Sequence, residues 1–202
     1  TVIDGNAGSI TVAGVGWGQF LRFESLTVQL GRGADTVIGM SNGANVINAG
    51  YATLGNKTIT GGNLGDQLSG GQENDTITGG GGNDSITGWG GANSLYGGAG
   101  NDSITIVGGA DRIVAGQGND TVNGGGFGCD VDLGVGNDVM FLYEPATVSA
   151  ETYRGGTGTD IFRIYYQAAA LDFSNVTLTG FEVLEFVDYG HALNLRMTLT
   201  TT

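Results

Sequence analysis

The sequence predicts an all-β protein, a parallel solenoid in which two sheets are built from stacked coils of eighteen residues. Three observations lead there. First, Gly61 to Phe141 reads in nines as G-G-x-G-x-D-x-U-x, with U a large apolar residue. Second, positions one to six are rich in Gly, Asn and Asp, which accept positive φ and build turns. Third, positions seven to nine alternate polar, apolar, polar, the pattern of a short strand with one buried face. Turn, strand, turn and strand close one coil. No coil can bury its apolar side chains alone, so coils must stack.

The elements follow in chain order. Residues 1–30 are apolar, Gly-rich and off-register, and are expected to be degenerate coils or a cap, with strands at Ile10-Thr11-Val12 and Leu26–Leu30. The repeat frame enters at Gly31-Arg32-Gly33-Ala34-Asp35, and a weaker unit follows at Gly43-Ala44-Asn45-Val46-Ile47. Near Tyr51-Ala52-Thr53 the spacing lengthens by three residues, which predicts a loop inserted in a turn. From Lys57 to Phe141 the frame is strict, and Ile77, Ile86, Leu95, Ile104, Ile113 and Val122 are the predicted core. Residues 31–141 are thus the repeat body. Residues 142–154 break it, because Pro145 lacks a ladder donor. One unit returns at Gly155–Arg163, and 164–202 read as a strand-rich C-terminal cap whose expected core is Phe173, Val176, Leu178, Phe181, Leu184 and Phe186. Phe23–Val28 is echoed by Phe181–Phe186. The first copy leads into a repeat array, and the second is expected to have led into another beyond Thr202.

Composition narrows the function. A formal charge of −13 with seven Lys plus Arg argues against nucleic acid and suits cations. No run is long and apolar enough to enter a membrane, and no signal peptide is read. The chain begins at Thr1 rather than Met, as an excised segment or processed product would. One cysteine, Cys129, excludes an intramolecular disulfide framework and leaves metal as the obvious staple. His191 has no second ligand in a zinc spacing. The acidic pairs Asp130 with Asp132 and Glu182 with Glu185 lie in no pocket recognisable from sequence, and the Gly-rich repeats lack a phosphate-loop Lys. Trp89 and Phe127 occupy turns, either packed under a neighbour or exposed for a partner. Ice binding by outward Thr and Ser ladders is disfavoured by Arg112, Asp130 and Tyr96, which interrupt them.

Consecutive repeats place their turns on opposite edges, so the sixth-position residues separate into two columns. One is Asp66, Asp84, Asp102, Asp120, Asp138, acidic at every level. The other is Lys57, Asp75, Asn93, Asp111, Cys129, with acid at alternate levels only. Like charges stacked at ~4.8 Å repel unless something sits between them. Calcium takes roughly 6–8 oxygens from carboxylates and carbonyls, and a Gly-rich turn offers carbonyls unobstructed by side chains.

The nonapeptide, over residues 31–163, resembles the RTX (hemolysin-type) repeat family of secreted bacterial proteins. The resemblance implies a right-handed parallel β-roll with several Ca2+ ions between stacked turns. The implied ligands are Asp66, Asp84, Asp102, Asp120 and Asp138 with the carbonyls of Gly80, Gly82, Gly98, Gly100, Gly116, Gly118, Gly134 and Gly136. Weaker or absent sites are expected at Asp75, Asn93 and Asp111, with Asp35 and Asp160 as outlying ligands. Lys57 is expected to supply its own charge in place of an ion, and Cys129 is a poor ligand for a hard cation. The family further implies unfolded export by type I secretion and folding in external calcium. A non-catalytic, secreted or cell-surface structural module is the leading expectation. It would contact calcium and other segments of a longer polypeptide or neighbouring copies. The carrier region of a type I-secreted enzyme or toxin is the second reading, and a β-helix enzyme acting on polysaccharide the third.

Overall fold

A computed structural model describes residues 4–5, 10–11, 25–30, 33–50, 55–125, 127–143, 150–166, 173–188 and 195–198. Gly31-Arg32, the lengthened spacing at 51–53, Glu144-Pro145, His191 and the start of the first echo at Phe23-Glu24 lie outside the described residues. The strands, in chain order, are β1 (Asp4–Gly5), β2 (Ile10–Thr11), β3 (Ser25–Leu30), β4 (Asp35–Ile38), β5 (Ala44–Asn48), β6 (Lys57–Thr60), β7 (Gln67–Gly71), β8 (Thr76–Gly81), β9 (Ser85–Trp89) and β10 (Ser94–Ala99). They continue with β11 (Ser103–Thr105), β12 (Arg112–Gln117), β13 (Thr121–Asn123), β14 (Asp130–Val135), β15 (Val139–Tyr143), β16 (Glu151–Arg154), β17 (Ile161–Tyr166), β18 (Val176–Thr179), β19 (Val183–Asp188) and β20 (Leu195–Thr198). Among the described residues there is no helix, hence none long and apolar enough to cross a membrane.

The strands alternate between two sheets. Odd-numbered strands form one, in the order β1-β3-β5 through to β19, with β20 added at its end. Even-numbered strands from β2 to β18 form the other. Every pairing is parallel except β19 with β20. The molecule is a parallel β-solenoid, as the nine-residue period predicts.

Register follows from the apolar residue of each repeat. On one sheet Leu68, Ile86, Ile104, Val122, Met140 and Phe162 stack as direct partners. On the other, Val37, Ile59, Ile77, Leu95, Ile113, Val131 and Tyr153 do the same. All are buried. A slip of one residue would turn the whole row to water, so this alternation pins the register.

Most strands of the array are longer than the three residues expected from the repeat, while β11 and β13 keep to three. β8 runs from Thr76 through Gly81 and takes in the first three positions of the next repeat. The reason is a second inward position, two residues after the first. Ala115, Leu133, Leu142 and Ile164 occupy it and are buried. Gly79 and Gly97 occupy it elsewhere, so it is silent in the strict repeats.

β16 to β19 continue both sheets in parallel register past the proline. There the aliphatic stack becomes aromatic, with Tyr153 and Phe162 ring centroids 5.1 Å apart and Phe162 and Phe181 5.2 Å apart. Phe181 is buried, while Phe173, Val176, Leu178, Leu184 and Phe186 pack against the core partly exposed. The echoed segments fall near opposite ends of the same sheet, in β3 and β19.

Candidate metal centre

The turns stack as regularly as the strands. On one edge the glycines at positions two and four have positive φ at four successive levels: Gly80 and Gly82, Gly98 and Gly100, Gly116 and Gly118, Gly134 and Gly136. A Cβ at Gly98 would strike the carbonyl of Gly80, and one at Gly100 would strike that of Gly82. Glycine is therefore required twice over, for its backbone conformation and for the carbonyl beneath it. Position five adds an asparagine ladder, in which Asn83 Oδ1 accepts the Asn101 amide at 2.8 Å, Asn101 that of Asn119 and Asn119 that of Asn137.

The sixth-position side chains lie under the turns and are buried despite their charge. Asp66, Asp84, Asp102, Asp120, Asp138 and Asp160 are each 0–3% exposed. Each Oδ1 accepts the sixth-position amide of the level before it. Asp84 accepts from Asp66, Asp102 from Asp84, Asp120 from Asp102, Asp138 from Asp120 and Asp160 from Asp138, at 2.7–2.9 Å. Asn45 begins this ladder by donating its amide to Asp66, and Glu182 ends it by accepting from Asp160. The second column starts at Asp35 and includes Lys57, Asp75, Asn93, Asp111 and Cys129, all buried.

The remaining carboxylate oxygen decides the chemistry. Oδ2 of Asp35, Asp84, Asp102, Asp111, Asp120, Asp138 and Asp160 is buried with no hydrogen-bond donor. Four of these belong to the column acidic at every level, Asp160 extends it, and Asp35 and Asp111 lie in the alternating column. The carbonyls of Gly82, Gly100, Gly118 and Gly136 likewise accept no hydrogen bond among the described residues.

Levels whose sixth residue is a donor show where these oxygens point. Lys57 Nζ donates to the Gly33 carbonyl, a fourth-position oxygen of the level before, and lies 3.1 Å from Asp35 Oδ2. Cys129 Sγ donates to the fourth-position carbonyl of Gly109 at 3.6 Å. Asn45 Nδ2 donates to that of Gly43 at 3.0 Å. Fourth-position carbonyl and sixth-position side chain thus meet at these three levels, while Asn93 Nδ2 donates to the third-position carbonyl of Gly90 at 3.2 Å. Where position six is aspartate, acceptor faces acceptor, and a buried acceptor without a donor costs roughly 1–3 kcal/mol. A cation removes that conflict. An all-oxygen set of carboxylates and carbonyls fits a hard ion such as Ca2+. Such a site needs few acidic side chains per ion, and no cluster of three or more His, Cys, Asp or Glu forms one among the described residues.

The electrostatics agree. Burial pushes the carboxyls of Asp84 and Asp138 up to about 7 and those of Asp102 and Asp111 up to about 6. Neighbouring carboxylates push the same way on Asp84, Asp102 and Asp138, against the backbone amides that hydrogen-bond them. Burial pushes the Cys129 thiol up to about 12, which keeps it protonated.

A family model described as the RTX calcium-binding nonapeptide repeat matches residues 60–95, 69–104 and 107–126. Residues 60–104 and 107–126 thus match RTX repeats. No curated protein and no solved structure gives a significant match. The RTX match supports Ca2+ as the ion. It spans Asp66, Asp75, Asp84, Asp102, Asp111 and Asp120, while Asp35, Asp138 and Asp160 lie outside it. Asp138 and Asp160 nonetheless share the column, the burial and the donorless Oδ2 of the RTX positions.

Several of the other singled-out residues have structural partners. Asp130 pairs with Arg154 at 2.6 Å, Glu185 with Arg163 at 2.6 Å, and Glu182 closes the carboxylate ladder. Trp89, at φ 71°, donates from Nε1 to Ser69 Oγ at 2.7 Å. Phe127, at φ 65°, is 60% exposed. Asn45, Glu182 and the asparagine ladder escape the sequence reading, although Asn at position five recurs visibly every eighteen residues.

Proposed function

We propose that this chain is a non-catalytic, calcium-binding structural module of a secreted or cell-surface bacterial protein, and that it folds on meeting calcium outside the cell. One observation carries the reading. A column of buried aspartates, with a donorless Oδ2 at every level from Asp84 to Asp160, is stacked level on level over fourth-position carbonyls that also lack donors. The intervals Asp66–Asp84, Asp84–Asp102, Asp102–Asp120 and Asp120–Asp138 are the assigned sites, with Asp138–Asp160 continuing the series. When bound there, calcium supplies the positive charge that the turns lack. The chain supplies the oxygens, the glycine backbone that lets them approach, and an apolar core that closes once repulsion is removed. Binding free energy then becomes folding free energy.

The test is a calcium titration followed by circular dichroism and calorimetry. A chelated sample is expected to be largely disordered and to become β-rich at submillimolar to millimolar calcium. A spectrum indifferent to calcium and chelator would mean that the apolar core alone holds the roll, and the proposal would fail.

A further inference from the structure

The N-terminal end of the roll is built differently from the rest. Lys57, on β6, is fully buried, and its ammonium lies 3.1 Å from Asp35 Oδ2 while donating to the Gly33 carbonyl. It therefore sits where a fourth-position carbonyl and a sixth-position carboxylate converge. On the opposite edge Asn45 replaces aspartate. Its Nδ2 donates to Gly43 O and, at 2.8 Å, to Asp66 Oδ1. Asp66 Oδ2 accepts the Gly62 amide at 2.6 Å. Asp75 is satisfied too, with Lys57 N on Oδ1 and Gly71 N on Oδ2, both at 2.6 Å. Along the chain from Asp35 to Asp75, every donorless carboxylate oxygen is matched by a cation within the protein. The first without either is Asp84 Oδ2.

We propose that the coils from Asp35 to Asp75 form a metal-independent end of the roll, with Lys57 as resident cation, on which the calcium-requiring coils assemble. The inference rests on the calcium reading of Asp84 and beyond. These coils also have their own apolar base in Val37, Ile47, Ile59, Leu68 and Ile77, all buried. In a solenoid each coil contacts only its neighbours, so a preformed end removes the nucleation step for the next coil. A buried ammonium is costly unless paired, and losing one partner strands the other charge. The position is thus committed to lysine and aspartate together.

Hydrogen exchange by mass spectrometry on the full chain, with and without calcium, tests this. In chelator, peptides from 44–71 should exchange roughly tenfold or more slowly than peptides from 84–143, which should gain protection only with calcium. Lys57→Asp converts the level to an all-acceptor turn. It should abolish the chelator-stage protection of 44–71, and calcium should restore it. Equal lack of protection of both segments in chelator, with calcium protecting both, would overturn the metal-independent end and leave the calcium reading intact. Equal protection of both without calcium would instead sink the calcium reading. Unchanged protection in Lys57→Asp would remove Lys57 from the role assigned to it.

Discussion

At the residue scale, the sixth position decides what holds each level. A donor there satisfies a turn carbonyl, the fourth-position one for Lys57, Cys129 and Asn45 and the third-position one of Gly90 for Asn93. Aspartate adds an acceptor instead. This separates two substitutions at Asp102, which lies between Asp84 and Asp120. Asp102→Asn keeps the ladder acceptor and adds a donor, so it should stabilise the calcium-free roll by about 1–3 kcal/mol and lower the ions bound. Calorimetric stoichiometry and chelator-stage melting check both halves. Asp102→Ala removes the ligand without replacing it. It should raise the calcium midpoint more than Asp111→Ala, because Asp111 stacks on Asn93 and Cys129 rather than on acids. Equal shifts would mean that the two edges are equivalent.

The same carboxylates set the pH dependence. Their folded values lie above the ordinary carboxylate range, near 6 for Asp102 and Asp111 and near 7 for Asp84 and Asp138. A raised folded value contributes stability that is complete below the unfolded value of about 4 and is lost as pH rises through the folded one. The metal-free roll should therefore retain more β-structure at pH near 5 than at pH near 8. Protons and calcium then compete for the same oxygens, so apparent calcium affinity should rise with pH over that window. Circular dichroism of calcium-stripped protein at the two pH values is the direct check, and greater order at the alkaline end would contradict the burial argument.

At the scale of the element, turn and strand are specified by different signals. The strands were legible from x-U-x alone, since each apolar residue of that register is buried. Their length was not. The second inward position is glycine in many of the repeats and declares itself only where Ile106, Ala115, Leu133, Leu142 or Ile164 replaces it. The acidic columns were legible from period eighteen. Their role in the backbone was hidden, because a sequence does not show that Oδ1 is spent on the neighbouring level's amide. Turn glycines should differ sharply in tolerance. Gly98→Ala puts a methyl against the Gly80 carbonyl at a φ of 118°, whereas a methyl at Gly108 meets nothing within 4 Å. The first should cost about 2–4 kcal/mol and the second well under 1, by thermal melting in saturating calcium.

At the scale of the whole molecule, the proposed calcium sites would supply most of the stability, and the magnitudes allow it. Core rows with one or two apolar residues per strand oppose a chain in which about one residue in five is glycine (41 of 202), and glycine loses the most freedom on folding. An ion bound to the folded state alone contributes about 2.7 kcal/mol when free calcium is a hundred times its dissociation constant. The four intervals from Asp66 to Asp138 would together supply about 11 kcal/mol, comparable to the roughly 5–15 kcal/mol that separates a folded domain from its unfolded chain. Core and ions should then be separable by experiment. Ile104 is fully buried in the apolar core in mid-roll. Ile104→Ala should cost about 2–5 kcal/mol and shift the calcium midpoint upward. The number of ions taken up on folding, read from the slope of unfolding free energy against the logarithm of free calcium, should stay at the wild-type value. Asp102→Ala should lower that slope. If Ile104→Ala lowered it equally, the ions would be following the order of the fold rather than creating it.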